Sequence, residues 1–461
     1  MHNTTELMLA SMLEALDTDP RIADCVHFSG RRDGLPSPFA VSAFAAASAA
    51  AAALGVARLH AARSGGPRPA VHIDHLHAAT AFCSERRLRG EDFALPVAWD
   101  PLAGDYLCKD GFIRLHTNYP WHRAAALGVL DVPAQRERVA EATAQWTKAE
   151  LEERIIAAGG AAAASYSEEQ FASSSVGMAL GKEPLVGRLA SGAAMPLERA
   201  ALPLAGVRVL DLTRVLAGPV CTRVLAAWGA DVLRIDPPEF PEVEALLGDT
   251  TWGKRRAALA LDEERGRAQL ECLIAAADVL VLAYRPAALA HLQLSPESLR
   301  AKHPGLVIVQ INAYGFDNPW AERRGFDSLV QMSTGIAARG ALVAGSARPV
   351  PLPAQALDHG TGYLAAAAAT FGLVERVTQR QAPTLRLSLA RTATFLTGHG
   401  HHEASSEALT DAEAAPFMVG VDTDFGPMQR VRVPGDIAGL TTVEPVRAGP
   451  LGIHPAAFLP R

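Results

Sequence analysis

Apolar residues fall in two rhythms along this chain. Between residues 207 and 312 they gather in short, nearly unbroken runs: Val207–Leu212, Asp231–Asp236, Ala257–Asp262, Asp278–Tyr284 and Leu306–Asn312. Strands buried on both faces read this way, as the strands of a parallel sheet do. Between the runs the apolar spacing turns helical, from about Pro219, over Glu263–Ala277 and over Pro296–Lys302. The alternation predicts a doubly wound α/β domain. Its first unit, Gly206 to Asp236, reads as strand, tight turn, helix, strand. Helix N-terminal amides would point at a ligand seated on that turn. Yet the turn reads Arg-Val-Leu-Ala-Gly-Pro and lacks the G-x-G-x-x-G of a dinucleotide site.

Other stretches divide the chain. Residues 186–205 break periodicity with Gly and Pro and read as a linker. Residues 206–395 form the α/β domain, and 396–461 a tail returning to it. Residues 1–185 are expected to form a partial first copy, because a weak repeat spans the linker. Leu35-Pro36 followed by an Ala-rich helix to Leu54-Gly55 aligns without gaps on Leu352-Pro353 through Phe371-Gly372. Each copy continues into an extended segment, Val71–Phe82 in the first and Leu385–Phe395 in the second. Asp358 then falls opposite Val41, which suggests one working half and one structural half. Within the first copy, hairpin character at Lys109-Asp110-Gly111-Phe112 is followed by helical spacing over Arg136–Gln145 and Ala149–Ala158. A small α+β domain is therefore expected between about residues 90 and 185.

Composition narrows the class. With 461 residues and 49% hydrophobic content, the chain can bury more than one core. A net charge of −6 leaves no basic footprint for nucleic acid. Cys25, Cys83, Cys108, Cys221 and Cys272 are scattered without a C-x-x-C pair, which suits a reducing compartment. The acidic N-terminus does not read as a signal peptide, and the apolar run Phe39–Leu54 falls short of a bilayer span. A cytoplasmic location with no membrane partner is the expectation.

Candidate chemistry concentrates near Asp358. In Gln355-Ala-Leu-Asp-His-Gly-Thr-Gly-Tyr363 it precedes an Ala-rich helix. It reads either as a helix cap or as a carboxylate held beside helix amides where an acyl carbonyl could reach it. His359 is expected to face solvent or the sheet. Two basic clusters, Lys254-Arg255-Arg256 and Arg323-Arg324, sit near strand ends, where anionic ligands gather. His72, Asp74, His75 and His77 resemble a metal cluster, but strand alternation would send His72 and Asp74 to the face opposite His75 and His77. His399, His401 and His402 sit in a Gly-containing loop. No metal site is expected.

These motifs together carry a resemblance. Val-Leu-Asp-Leu-Thr-Arg-Val-Leu-Ala-Gly-Pro, Gly-Ala-Asp-Val-Leu-Arg-Ile-Asp, Gly-Lys-Arg-Arg-Ala-Ala-Leu, Ala-Asp-Val-Leu-Val-Leu-Ala-Tyr-Arg-Pro, Arg-Gly-Phe-Asp and Gln-Ala-Leu-Asp-His-Gly-Thr-Gly follow one another across residues 206–395. In this order they resemble the class III CoA-transferases, the CaiB/BaiF family. The resemblance implies a Rossmann-like CoA-binding domain with a small α+β domain, and a nucleophilic Asp358. It implies CoA transfer from an acyl-CoA to a free carboxylate through an aspartyl mixed anhydride. CoA contacts are implied at Leu216 and Ala217, at Ala283, Tyr284 and Arg285, and at His291. The basic pair Lys254 and Arg255 would add charge, and Arg324 to Asp327 would line the thioester end. Many relatives carry Gln in place of Leu216 and Arg in place of His291, and no counterpart of the family's Gly-rich loop stands out. An acyl-CoA racemase would place His where this chain has Phe326, which disfavours that alternative. A non-catalytic CoA-binding protein is the third reading, and a dehydrogenase the least favoured. An interlocked homodimer and a pseudo-dimeric single chain both fit the duplicated pattern.

Overall fold

The computed structural model describes residues 4–402, 407–443 and 446–460. A seven-stranded sheet organises the second half of the chain. Its order is Lys254–Ala258, Asp231–Asp236, Arg208–Leu212, Val279–Leu282, Val307–Asn312, Gln381–Ser388 and Gly187–Ala193. The first six are parallel and the last is antiparallel. From Arg208–Leu212 the chain adds strands first on one side and then on the other. The order therefore switches between Arg208–Leu212 and Val279–Leu282, and ligands bind beyond the carboxyl ends at such a switch.

Two of the expected boundaries move. The strand expected at Ala257–Asp262 runs instead over Lys254–Ala258. Lys254 pairs with Asp211, Arg255 with Asp231 and Arg256 with Asp424, so charged residues occupy a strand that apolar periodicity passes over. The presumed linker contains the edge strand Gly187–Ala193. Its small residues bury little and leave no apolar run, but its backbone still pairs with Gln381–Ser388.

The N-terminal segment folds into the same body. Val26–Ser29 pairs in parallel with Val71–Asp74, and Asp436–Ile437 from the tail adds a third strand. The path Val26–Ser29, helix Val41–Ser64, Val71–Asp74, helix His75–Ala81 has the same order as Val307–Asn312, helix Ala356–Thr378, Gln381–Ser388, helix Leu389–Gly398, except that the second path inserts the helices Asp327–Ser333 and Ile336–Ala344 before Ala356. The two Ala-rich helices even begin alike, at Ala40 (φ −75, ψ 53) and Gln355 (φ −74, ψ 59). Counted from these caps, Asp358 is the third helical residue and matches Ala43 rather than Val41. The segments after these helices are not extended throughout as expected: each is a strand that turns directly into a helix. Asp74 ends its strand as a cap, accepting from the Leu76 and His77 amides at 2.8 and 3.1 Å. His75 and His77 are therefore helical, and their side chains bond the backbone carbonyls of Ser29 and Arg432.

The Val41–Ser64 helix is longer than the Phe39–Leu54 run, and its length and apolarity would suffice to cross a membrane. In this fold it is buried against Ala356–Thr378, with Phe44 facing Gly360 and Gly55 facing Thr370. Both helices thus point the same way. Alanine and glycine along the contact let their backbones approach closely. Phe44 closes the seam between Phe82 and Phe395, with ring centroids 5.7 and 6.2 Å away. One continuous core runs from Met8 through Cys83 into the large sheet.

A separate core fills the small domain. Its antiparallel strands Gly104–Cys108, Gly111–Leu115 and Ala162–Ala164 pack on helices Pro120–Leu130, Arg136–Thr143 and Lys148–Ala157. The tail hairpin Met418–Thr423 and Gly426–Val431 pairs with Arg89–Gly90.

Because Phe44 is fully enclosed between the two halves, Phe44→Ala is expected to lower stability by about 3–5 kcal/mol. Urea unfolding followed by circular dichroism checks this. The large domain should melt with the N-terminal segment in one transition rather than persist alone.

Candidate active site

The nucleophile candidate begins with a helix that does not cap itself. Gln355, at the N-terminus of Ala356–Thr378, contributes no side-chain cap. Asp327 supplies one from another element. It opens the helix Asp327–Ser333, and its Oδ2 accepts from the amides of Leu357 and Asp358 at 2.8 and 3.0 Å. Its other oxygen accepts from the Gln331 amide, while Gln331 Oε1 accepts from Leu352 N at 2.7 Å. Asp327 is thus locked on three sides and ties the Ala-rich helix to the approach segment before it.

Asp358 is freed by this arrangement. It is only 7% exposed yet lines the main cavity, and among the described residues its carboxylate accepts no hydrogen bond. Burial, then the charges of Asp327 and Glu85, hold its carboxyl well above the usual carboxylate range. Burial also pushes Asp327 up, to about 6, against the amides that stabilise its charge. Two buried carboxyls side by side resist ionising together.

Glu85 reaches this site from the N-terminal segment. It accepts from or shares a proton with His359 Nε2 at 2.9 Å. His359 is wholly buried, against the expectation of a solvent or sheet contact, and Phe82 stacks on it at 5.5 Å. The polypeptide before residue 90 therefore supports the helix that carries Asp358.

The cavity, about 670 Å³, opens at the switch point of the sheet. That is large enough for a cofactor-sized ligand. Ala217 and Gly218 line it from the first turn, and Ala283, Tyr284, Arg285 and His291 from the fourth strand's end. Arg324 lines it near Asp358. Burial and the neighbouring Arg285 guanidinium lower the pKa of Arg324, as expected where cations converge before an anion arrives.

Four residues of the expected set lie elsewhere. Leu216 is buried at the N-terminus of the Ala217–Ala227 helix and turns away from the cavity. Lys254 is enclosed, its Nζ 3.0 Å from Asp211 Oδ2, and burial lowers its pKa to about 8. Arg255 is bound by Asp231 at 2.6 Å and by the Ala457 carbonyl. These two cations pair with Asp211 and Asp231, so neither is free for a ligand phosphate. Asp327 is beneath Asp358 rather than on the cavity wall.

The structure adds residues that sequence reasoning passed over. Tyr119, Trp121 and His122, at the start of a small-domain helix, form one wall, with Phe240 and Phe326 near them. Trp121 stacks on Tyr119 at 5.0 Å and meets Phe240 edge-on at 5.4 Å. Phe326 stacks on His116 at 3.6 Å. Burial, reinforced by nearby positive charge, lowers His116 to about 3 and His122 to about 4, so both are neutral at physiological pH. The Tyr-Pro-Trp-His string was the available signal. Nothing local to it shows that it faces another domain. Arg214, also on the wall, closes the first strand–turn unit.

A parallel sheet, a cleft at its switch point and a buried, unpaired carboxylate at a helix start define an α/β ligand-binding site. Residues 204–416 match the model of CoA-transferase family III, and this part of the chain belongs to that family. An acetyl-coenzyme A transferase of Hypoxylon pulicicidum is 35% identical over 178 residues, 38% of this chain and 30% of that protein. The succinate–glutarate CoA-transferase of Agrobacterium fabrum is 35% identical over 151 residues, 29% of this chain and 38% of that protein. The chain spans less than half the length of either relative. A crystal structure of a CaiB/BaiF family protein from Brucella suis aligns at 24% identity and a TM-score of 0.37, covering 49% of this chain and 65% of that one.

The carboxyl pair has a measurable cost. Both acids hold protons more tightly in the folded chain than in the unfolded one. Their contribution to stability is therefore complete below about pH 4 and is lost as pH rises through 6 and beyond. Asp358→Asn should match the unsubstituted protein at pH 4 and exceed its stability at pH 8. Thermal unfolding at the two pH values checks the sign.

Proposed function

We propose that this protein transfers CoA from an acyl-CoA thioester to a free carboxylate, with Asp358 as the nucleophile. The observation that carries the reading is the Asp358 carboxylate itself. It is unpaired and desolvated, and it opens into the cleft of about 670 Å³ at the switch point of the sheet. A carboxylate stripped of water attacks an activated acyl group more readily than a hydrated one.

The chemistry suits the residues present. An Asp358 oxygen adds to the thioester carbonyl, the C–S bond breaks, and CoA leaves as thiolate, giving a mixed anhydride on the aspartate. The thiolate then attacks the aspartyl carbonyl and releases the first acid as its carboxylate, leaving an aspartyl-CoA thioester. A second carboxylate attacks that thioester, and the returning thiolate takes up the new acyl group and frees Asp358. No proton changes hands at any step. Neutral, buried histidines and Phe326 are compatible with such a cycle, whereas α-proton exchange needs a base on each face of the substrate. Arg285, Arg324 and His291 supply positive character for the CoA phosphates. The aromatic wall from the small domain supplies apolar contact to the remainder of the ligand.

We also infer that residues 26–81 are a degenerate copy of 307–395. The shared element order, the parallel strand pairs and the matching helix starts support this. In that copy Ala43 stands where Asp358 stands, so the copy supports the site without performing chemistry.

Incubation with several acyl-CoAs and carboxylate acceptors, followed by hydroxylamine trapping and mass spectrometry, tests the mechanism. An adduct on Asp358 is expected, and Asp358→Ala should lose at least about a thousand-fold in transfer. Unchanged turnover in that variant would sink the assignment. Deuterium entering the α-carbon without CoA exchange would favour racemisation, and CoA binding with neither activity a binding role.

The pH profile offers a second check. Protonated Asp358 cannot attack, so transfer should fall on the acid side. Asp327→Asn removes the neighbouring charge and should move that acid limb to lower pH, whatever it does to the maximal rate.

A further inference from the structure

One wall of the cleft is held by a residue that does not reach the cleft. Glu242 follows the Asp231–Asp236 strand, its side chain is 1% exposed, and it is absent from the cavity lining. Its Oε1 accepts from the Tyr119 hydroxyl at 2.7 Å and from the Val243 amide at 3.0 Å. Its Oε2 accepts from Arg234 Nη2 at 3.0 Å, Val215 N at 3.2 Å and Arg214 Nε at 3.5 Å. One carboxylate therefore gathers donors from the small domain, the sheet and the first turn. Three of the donor residues, Tyr119, Arg214 and Val215, line the cleft. Arg214 also lies 5.1 Å from the centre of the Tyr119 ring.

The turn it holds is strained. Val215 has φ +65, a conformation that a β-branched residue rarely adopts. Such a residue persists where its surroundings leave no alternative, and it clusters where ligands bind. Here the Val215 amide donates to Glu242, and the helix that starts at Ala217 presents its N-terminus to the cleft. Burial opposes the charge on Glu242, but Arg234 and Arg214, with the Tyr119 hydroxyl, hold its carboxyl below the ordinary range. It is an anion at physiological pH and accepts at both oxygens.

We propose that Glu242 is a positioning residue that draws the small-domain wall and the strained first turn together, and so sets the affinity of the cleft for CoA. The affinity part of this proposal rests on the CoA reading above. The geometric part does not. A glutamine in its place loses the charge that Arg234 and Arg214 pair with, and whichever of its two positions takes the NH2 group, that group meets a backbone N–H, of Val243 or of Val215. Phenylalanine at 119 cuts only the link to the small domain.

The test compares the full-length protein with Glu242→Gln and Tyr119→Phe. CoA binding is measured by titration calorimetry, and amide exchange of the free proteins by mass spectrometry. Glu242→Gln is expected to weaken CoA binding about ten-fold, with KM for acyl-CoA rising more than kcat falls. Exchange should quicken in peptides covering 213–218, 119–124 and the Val243 amide, and nowhere else. Tyr119→Phe should weaken CoA binding by about three-fold and leave the 213–218 peptide unchanged. Equal CoA affinity with unchanged exchange in Glu242→Gln would overturn the proposal. So would faster exchange spread over the whole large sheet, which marks a general stability role. If the unsubstituted protein binds no CoA, the CoA reading fails, and exchange at 213–218 alone decides whether Glu242 holds the turn.

Discussion

Close contact between two Ala-rich helices is the constraint on which the rest of the molecule depends. Val41–Ser64 and Ala356–Thr378 lie side by side with few side-chain atoms between them. Alanine buries little area per residue, so such a seam gains stability only if the backbones approach closely along its whole length. Gly55 and Gly360 permit that approach where Thr370 and Phe44 press in from the opposite helix. Once the seam is set, the start of the second helix is fixed relative to Phe82 and Glu85 on one side and Asp327 on the other. The position of Asp358 follows from these.

The site then gathers charge that a fold built for stability alone would avoid. Asp327, Asp358 and Glu85 crowd one helix start, with His359 as the partner of Glu85. Within and beside the sheet the logic reverses. Lys254 with Asp211, and Arg234 with Asp236 and Glu242, are matched ion pairs in the sheet. Matched pairs add little net stability, but removing one partner is costly, so they fix geometry. The contrast between neutralised charges in the sheet and an unneutralised carboxylate at its edge is what distinguishes scaffold from chemistry here.

Much of this was legible in the sequence. Unbroken apolar runs marked the parallel strands, and the short Pro296–Lys302 helix appears with the same bounds in the structure. By its place alone Asp358 reads equally as a helix cap, and its role as a nucleophile comes from the family resemblance; in the structure it is the third residue of the helix, and Asp327 supplies the cap. What escaped has a common cause. The strand at Lys254–Ala258 is charged because its partners are distant in sequence, and the Gly187–Ala193 strand is visible only through its backbone pairing. Leu216, Lys254 and Arg255 occupy stretches that resemble ligand contacts, yet which way a side chain turns depends on what is packed behind it. Tyr119 and Trp121 line the cleft and Glu242 holds its wall from behind, through a contact that spans 123 residues of chain and that no local pattern records.

Glu85 and Phe82 have a consequence for how the protein behaves in dilute solution. Both support the helix bearing Asp358, and both belong to the same polypeptide as that helix. Where one subunit supplies such support to another, a site is lost as the subunits separate. Here the supporting segment is tethered, and its effective concentration is set by the connecting chain rather than by the amount of protein present. The support that Glu85 and Phe82 give to the helix of Asp358 is therefore independent of protein concentration.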